Sequence, residues 1–280
     1  MQSRLLKSLP LLCLAIWIGG AIADSAQAQE KITLKLNMKK GDTRKVNFSM
    51  EMDNKVSINQ ITIDMKIEIG MEMTVDVKEV DNDGLHTIDF TYDRIKMKMT
   101  GPLNVDFDSA DKDQDVGPIA KVFGALAGQT ITTKMNPQAK VIEVIGFEKL
   151  AERLGLPKEQ LASQRDQMTQ MIAALPSKPV GIGDTWTGAM KLSADANLPA
   201  TVTVKYTLID RKGGDAIIKM DGIIKSDQGL NGTMTGTMRI DEKTGWTKSG
   251  EVDMEMEGSV QGGAELSMKA KIKFGEAMKN

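Results

Sequence analysis

Residues 61–77 carry the longest regular pattern in the sequence. From Ile61 to Val77 every odd position is apolar and every even position is polar or glycine. A period of two over such a length predicts a β-strand with one buried and one solvated face, which is typical of antiparallel sheets. At about 3.3 Å per residue this strand would be about 55 Å long, so it must twist or bend. Gly70, on the polar face, is the expected place for a bend or bulge.

The same alternation recurs along the chain. It is found in segments 32–38, 46–52, 202–208, 252–256 and 266–274. Turn-forming sequences lie between these segments, at 81–84, 136–138, 212–214 and 241–245. Several short strands separated by turns indicate a mainly β (α+β) protein, built as a large curved antiparallel sheet or an open barrel.

The last hairpin can be predicted in register, with its turn around Gly262 and Gly263. One face sets Val252, Met254 and Met256 against Met268, Ala270 and Ile272, and the other sets Glu251, Asp253, Glu255 and Glu257 against Lys269, Lys271 and Lys273. Opposite charges across paired strands stabilise a sheet by about 0.2–1 kcal/mol each. We therefore interpret the four acids as part of a charge ladder and not as a cation site.

Helical spacing of apolar residues occurs only in the middle of the chain, in 147–154, in 161–175 and in the short run 119–126. We expect two or three helices there, packed on the sheet. An internal duplication is also indicated, because Gly41-Asp42-Thr43 reappears as Gly183-Asp184-Thr185. These features predict a single domain at 29–280, with one β unit at 31–145, a helical insert at 146–176 and a related β unit at 180–275.

The N-terminal 28 residues have the pattern of a secretory signal peptide. Arg4 and Lys7 precede an uncharged stretch at 8–23, and small residues then predict cleavage after Ala28. The apolar stretch is shorter than the about 20 residues that a membrane-spanning helix needs, although an uncleaved anchor is the alternative. We expect export to the periplasm or the extracellular space, with no transmembrane segment in the mature chain.

Composition excludes several classes of chemistry. The chain has 36 basic and 38 acidic residues, so no positive excess is present for nucleic-acid binding. His86 and Cys13 are the only residues of their types, and Cys13 lies in the signal peptide. No catalytic residue, metal-ligand set or cofactor motif can be assigned. The acidic run 111–115 has the spacing of a calcium loop, but Val116 and Val122 replace the required Gly and Glu, and a solvated loop is the main interpretation.

Methionine is unusually frequent, with 20 residues against 4% aromatics. Pairs such as Met71 and Met73 place two thioethers on one face of a strand, an arrangement that could bind Cu(I). Their positions in the apolar register of strands favour core packing instead, and methionine adapts to varied apolar shapes. We expect this strand face to cradle a lipid-like or other apolar small molecule. The candidate ligand-binding residues are Met65, Ile67, Ile69, Met71 and Met73.

Five segments, in order along the chain, resemble one family of bacterial proteins. They are Lys40–Thr43, Val77–Gly84, Thr91–Met97, Val141–Gly146 and Pro179–Trp186. The family is an uncharacterised one, a domain of unknown function found in exported, β-rich proteins that are abundant in planctomycetes. The resemblance implies export and a β-rich fold. It implies no activity, so no functional residue follows from it.

These observations together predict an exported, non-catalytic protein that holds a hydrophobic ligand on an apolar sheet face. A structural or protein-interaction component of the cell envelope, without a ligand cavity, is the alternative. A hydrolase that uses carboxylates is a third class, although strand alternation places acids two apart throughout the chain and singles out no pair.

Overall fold

A computed structural model describes residues 30–59, 61–111, 117–148, 152, 175–193, 199–227, 229–260 and 263–277. The predicted signal peptide with its cleavage site at Ala28 lies outside these residues. So do most of the acidic loop at 111–115 and most of the predicted helical insert at 146–176.

The described residues form twelve strands and one named helix. The first six strands are β1 (Thr43–Ile58), β2 (Ile61–Val80), β3 (His86–Thr100), β4 (Val105–Asp108), β5 (Thr130–Met135) and β6 (Val141–Ile145). The other six are β7 (Thr185–Ser193), β8 (Pro199–Lys212), β9 (Asp215–Ser226), β10 (Asn231–Asp241), β11 (Thr247–Val260) and β12 (Ala264–Glu276). Helix α1 (Pro118–Leu126) lies between β4 and β5.

All twelve strands belong to one antiparallel sheet, as the alternation predicts. The order across the sheet is β6-β5-β3-β2-β1-β12-β11-β10-β9-β8-β7, and β4 pairs with β3 beside this path. The sheet is not closed, because β6 and β7 stand at its two ends. Each half is a meander, and the first strand of the chain joins the halves by pairing with the last.

The predicted register of the last hairpin is confirmed. Met254 lies opposite Ala270 and Asp253 lies opposite Lys271, as expected, and only Glu257 faces a serine instead of a lysine. The prediction for β2 is less accurate. Pairing runs without a shift through Gly70, and the shifts between β2 and β3 fall at Glu72/Met73 and Val77/Glu79 instead. At the first shift Glu72 pairs with Arg94 and Met73 pairs with Tyr92, so Asp93 is an extra, unpaired residue in β3.

The expectation of two or three helices is not borne out by the described residues, which contain α1 as their one named helix. Helix α1 confirms the helix predicted from the apolar run 119–126. It begins with Pro118, whose fixed φ suits a first helical turn. The other two predicted helices, at 147–154 and 161–175, fall almost wholly on residues outside the described ranges.

Residues 30–38 cross one end of the sheet and show how strongly it curves. The amide of Leu36 donates to the carbonyl of Pro137 (2.7 Å), between β5 and β6, while the amide of Asn37 donates to the carbonyl of Thr244 (2.8 Å), between β10 and β11. In a flat sheet, six strand spacings of about 4.8 Å would place β5 and β10 about 29 Å apart. Adjacent residues are only about 3.8 Å apart. The sheet therefore curls around segment 30–38.

This segment corrects one prediction. The alternation at 32–38 predicts a strand, yet only Ile32 makes a strand-like bridge, with Val180. The segment is extended, and its alternation has another cause. Leu34 packs into the core of the second half, while Leu36 and Met38 pack into that of the first half. Because Val75 and Val77 of β2 pack against the same segment, their face lines the inside of the curve. We call it the concave face.

Methionines and glycines fit together on the concave face of the second half. At Gly236, a Cβ atom would stand 3.0 Å from the terminal methyl of Met220 and 2.4 Å from the carbonyl oxygen of Glu251. At Gly250, a Cβ would overlap the ring of Phe274. The missing side chains let long neighbours lie across the strands, and the sheet can bend tightly there. This agrees with the interpretation of the methionines as packing residues.

The two Gly-Asp-Thr sequences have matching geometry. Gly41 and Gly183 have φ values of 89° and 91°, in the left-handed region that favours glycine. Asp42 accepts a hydrogen bond from the amide of Lys39, and Asp184 accepts one from the amide of Gly181, three residues back in both cases. Each turn starts a meander, at β1 and at β7.

Candidate functional site

The concave face of β2 changes from fully buried to exposed along its length. Val75 and Val77 are 0% and 2% exposed, because segment 30–38 covers them. At the opposite end of the strand, Ile63 and Ile61 are 40% and 67% exposed. The residues between are partly exposed. The concave face is therefore filled at one end and opens to solvent towards the other.

All five predicted ligand-binding residues lie in this intermediate zone of the concave face, because they share the odd-numbered register of Val75 and Val77. The structure divides them into two groups. Ile69 and Met71 pack against a buried cluster of Ile95, Met97 and Phe107. Phe123 and Leu126 of α1 pack against the same cluster, so α1 lies over the neighbouring part of the concave face. Met65, Ile67 and Met73 are the other three, and each is partly exposed.

The neighbouring strands extend the apolar surface. On β1, Met52 lies between Ile67 of β2 and Ala270 of β12, and Met50 occupies the next position on the same face. Met268 of β12 lies one step towards the open end. We call Met50, Met52, Met65, Ile67 and Met268 the central apolar patch. Each is partly exposed, and four of the five are flexible thioethers that can repack around varied apolar shapes.

Asn54 interrupts this patch, and the sequence predictions missed it. It lies between Met65 and Met268 on the concave face and is 9% exposed. Its amide nitrogen donates to the sulfur of Met52 at 3.1 Å, and a thioether is a weak acceptor. Ligand pockets commonly combine an apolar lining with a few placed polar groups. The sequence does carry a signal for it, because Asn54 is the one polar residue at the otherwise apolar even positions from Val46 to Val56.

An ion pair lies at the filled end of the concave face. Arg44 of β1 forms a salt bridge with Glu276 of β12, and its guanidinium lies 5.8 Å from the ring centroid of Trp246. Both side chains are partly buried. The charges compensate each other, and they separate the apolar core from solvent at that end.

The carboxylates with shifted pKa values are held in ion pairs. Two hydrogen bonds from Arg94, at 2.6 and 2.9 Å, lower the pKa of Asp108 to about 2. Burial alone would raise the pKa of Asp215, but Lys248 and Arg239, at 2.7 and 2.6 Å, hold it below its usual value. Such values suit anions that stabilise the fold and do not suit a general acid at neutral pH.

No metal site is indicated by the described residues. They contain no group of three or more His, Cys, Asp or Glu side chains that could hold a metal ion. His86 is buried, with its ring nitrogens 2.9 and 3.1 Å from the carbonyl oxygens of Gly84 and Met38. The contact with Met38 fastens segment 30–38 to β3. A groove of about 430 Å³ over Gly70 is lined half by charged residues, and its lining also includes Met50 of the central apolar patch and the predicted ligand-binding residue Ile69.

No helical stretch in the described part of the chain has the length and hydropathy needed to cross a membrane.

Two solved structures give a distant likeness. One, which concerns lipid-protein interactions in lipovitellin, has a TM-score of 0.48 and 7% identity. The match covers 86% of this chain and 26% of that one, so this chain spans about a quarter of its length. The other, DynF from the dynemicin biosynthesis pathway of Micromonospora chersina, has a TM-score of 0.21 and 9% identity, with 90% and 86% of the two chains covered. Neither likeness is close enough to bear on function.

No curated protein matches the sequence. A family model does match it, twice, at residues 83–164 and 160–247. The two matches together span more than half of the chain and include most of both meanders. They confirm the resemblance to a family without an assigned activity. The chain belongs to the family of unknown function DUF6263.

Proposed function

We propose that this protein is an exported, non-catalytic binding protein that holds an apolar, lipid-like molecule on the central apolar patch. The observation that carries the proposal is the change along β2 from buried valines to exposed isoleucines on one continuous apolar face. Among the described residues, segment 30–38 and the cluster that α1 joins occupy only part of this face. Contiguous exposed apolar surface of this kind is typical of interaction and ligand sites.

The size of the driving force is adequate for binding. Each methylene removed from water contributes about 0.8 kcal/mol, so ten methylenes of an acyl chain would supply about 8 kcal/mol, the free energy of a micromolar complex. The cost of association reduces this figure. Asn54 supplies one buried amide, which can hydrogen-bond a polar group at the end of such a chain.

Native mass spectrometry of the protein purified from its own envelope fraction, combined with organic extraction, tests the proposal directly. We expect a stoichiometric lipid or other apolar molecule to co-purify. The same spectrum tests export, because cleavage after Ala28 gives a chain that starts at Gln29. An apo mass, together with no binding of a fluorescent fatty acid, would refute ligand binding.

A matched pair of variants locates the ligand. Ile67→Gln places an amide in the central apolar patch at a partly exposed position, so the fold should tolerate it. Ile223→Gln makes the same change on the outer face of β9. We expect Ile67→Gln to weaken fatty-acid binding at least tenfold and Ile223→Gln to leave it unchanged. Equal effects of the two variants would remove the patch as the site.

A protein-interaction role in the cell envelope is the second candidate. Among the described residues, β6 pairs with β5 alone, so it stands at an edge of the sheet, and its Ile142 and Ile145 are exposed. Such an edge can accept a strand from another protein. An apo mass accompanied by a stoichiometric protein partner would favour this role.

A further inference from the structure

Asn54 is a buried amide whose hydrogen-bonding capacity is mostly unused. It lies in the middle of β1, between Met65 of β2 and Met268 of β12, and is 9% exposed. One N–H of its side chain donates to the sulfur of Met52, a weak acceptor. Among the described residues, no group donates to its carbonyl oxygen and none accepts from its second N–H. Burying an amide costs free energy unless it is hydrogen-bonded, and asparagine is disfavoured within strands, so packing and local structure do not account for this residue.

The unused oxygen of Asn54 can be reached from the concave side. It is not one of the enclosed, unpartnered side-chain atoms of the described residues, so it keeps some access to solvent. Its position between two methionines of the central apolar patch places it beside the surface on which an apolar chain would lie. A ligand on that surface can therefore supply the partners that the protein itself does not.

The concave face around Asn54 carries no charge. In the concave register of β1 (44–56), β2 (61–77) and β12 (266–276), the charged residues are Arg44 and Glu276. They form a salt bridge with each other, and Arg44 is ten residues from Asn54, or about 33 Å along the strand. The charged residues next to Asn54 and its two partners belong to the outer face, and they are Asp53, Lys55, Asp64, Lys66 and Lys269. A carboxylate bound beside Asn54 would have no cation to compensate it.

The free donor and the free acceptor of Asn54 suit a group that both donates and accepts, such as a hydroxyl, a carboxamide or a protonated carboxyl. Removing an ionised group from water without a counter-charge costs far more than removing a neutral polar group that finds hydrogen bonds. We propose that the ligand of the central apolar patch is an amphiphile with a neutral polar head, and that Asn54 binds this head. A fatty alcohol, a fatty amide and the protonated form of a fatty acid belong to this class. The inference rests on the proposed function, for which it names the ligand class.

Displacement of Nile red from the intact protein compares head groups on one alkyl chain, with decanol, decanoate and decylammonium as ligands. At about pH 8, where the carboxyl and the amine are charged, decanol should bind at least tenfold more tightly than either ion. Decanoate should bind more tightly as the pH falls, because it takes up a proton on binding. The affinity for decanol should not change with pH.

Two variants assign this selectivity to Asn54. Asn54→Leu should weaken decanol binding by about two- to tenfold, the equivalent of one hydrogen bond, and leave decane binding unchanged. Asn54→Asp keeps the shape and adds a negative charge, so it should bind decylammonium at least tenfold more tightly than the wild type does. The matched control is Asn47→Leu, on the exposed outer face of the same strand, which should bind all ligands like the wild type.

Equal affinities of the wild type for decanol and decanoate at about pH 8 would overturn the inference, because a neutral head would then not be preferred. Unchanged decanol binding in Asn54→Leu would overturn it as well, and this variant places an apolar side chain on an apolar face, so the fold should tolerate it. Failure of the proposed function gives a different result, in which neither decane nor any of the three amphiphiles binds to the wild type. Binding of decane and decanol with the same affinity would leave the apolar site standing and remove the role of Asn54.

Discussion

Segment 30–38 should contribute to stability as a core element, and Leu36→Ala measures that contribution. Leu36 is 4% exposed and packs with Met38, Val75, Val77 and Ile88. The substitution removes three carbon atoms, worth about 2.4 kcal/mol of transfer free energy. The cavity left behind adds to this, so we expect the free energy of unfolding to fall by about 3–4 kcal/mol. In a protein of this size that corresponds to a melting temperature lower by about 6–16 °C.

Urea unfolding followed by tryptophan fluorescence is the assay, because Trp246 packs against the same cluster as Leu36. Lys35→Ala is the control in the same segment, where the side chain is exposed. It should change the free energy of unfolding by less than about 0.5 kcal/mol. A loss below about 1 kcal/mol for Leu36→Ala would show that the segment is not part of the core. The inferred curvature of the sheet, which depends on this segment, would then lose its basis.

Three further outcomes are expected. Hydrogen bonds from Lys248 and Thr244 outweigh burial and lower the pKa of Asp241 to about 2, so this carboxylate stabilises the fold above its unfolded pKa and the contribution is lost between about pH 5 and 2. Lys248→Met should flatten that acid slope in urea unfolding, and an unchanged slope would contradict the assignment. Gly236→Ala should cost about 2 kcal/mol or more through contact with backbone, whereas Gly70→Ala, whose new Cβ would meet only the Cβ of Lys96 at 3.9 Å, should change stability little. Asn54→Leu should leave alkane binding intact and weaken fatty-acid binding severalfold; equal effects on both ligands would exclude a polar contact.

The register of the last hairpin was predictable because three independent signals agree. Residue parity, the turn and the facing charges all give the same pairing, and a slip by one residue would turn Met254 outward and Asp253 inward. The inward register of the five candidate residues of β2 follows from parity alone. Which of them pack against other parts of the chain does not, because Ile69 and Met71 contact the buried cluster that α1 also contacts. Contacts between distant segments leave no mark on local alternation.

The shift at Asp93 shows where a local signal went unused. Apolar residues of β3 occupy even positions at Ile88 and Phe90 and odd positions from Ile95 onwards. This change of parity requires an extra residue between them, and the structure has it at Asp93. We predicted a bulge at Gly70 only because glycine is common at bulges. Segment 32–38 misled in a different way, since burial of alternate residues does not require pairing with a neighbouring strand.

The pairing of β1 with β12 has a consequence for how the chain folds. Val46 and Glu276 are partners separated by almost the whole sequence, and contacts between such distant residues slow folding. Until the last strand is available, one side of β1 has no partner, and an unpaired strand edge can join other chains. A chain shortened before β12 would keep that edge permanently. We therefore expect folding to be completed late, after the whole sheet has been synthesised, and C-terminal truncations to aggregate.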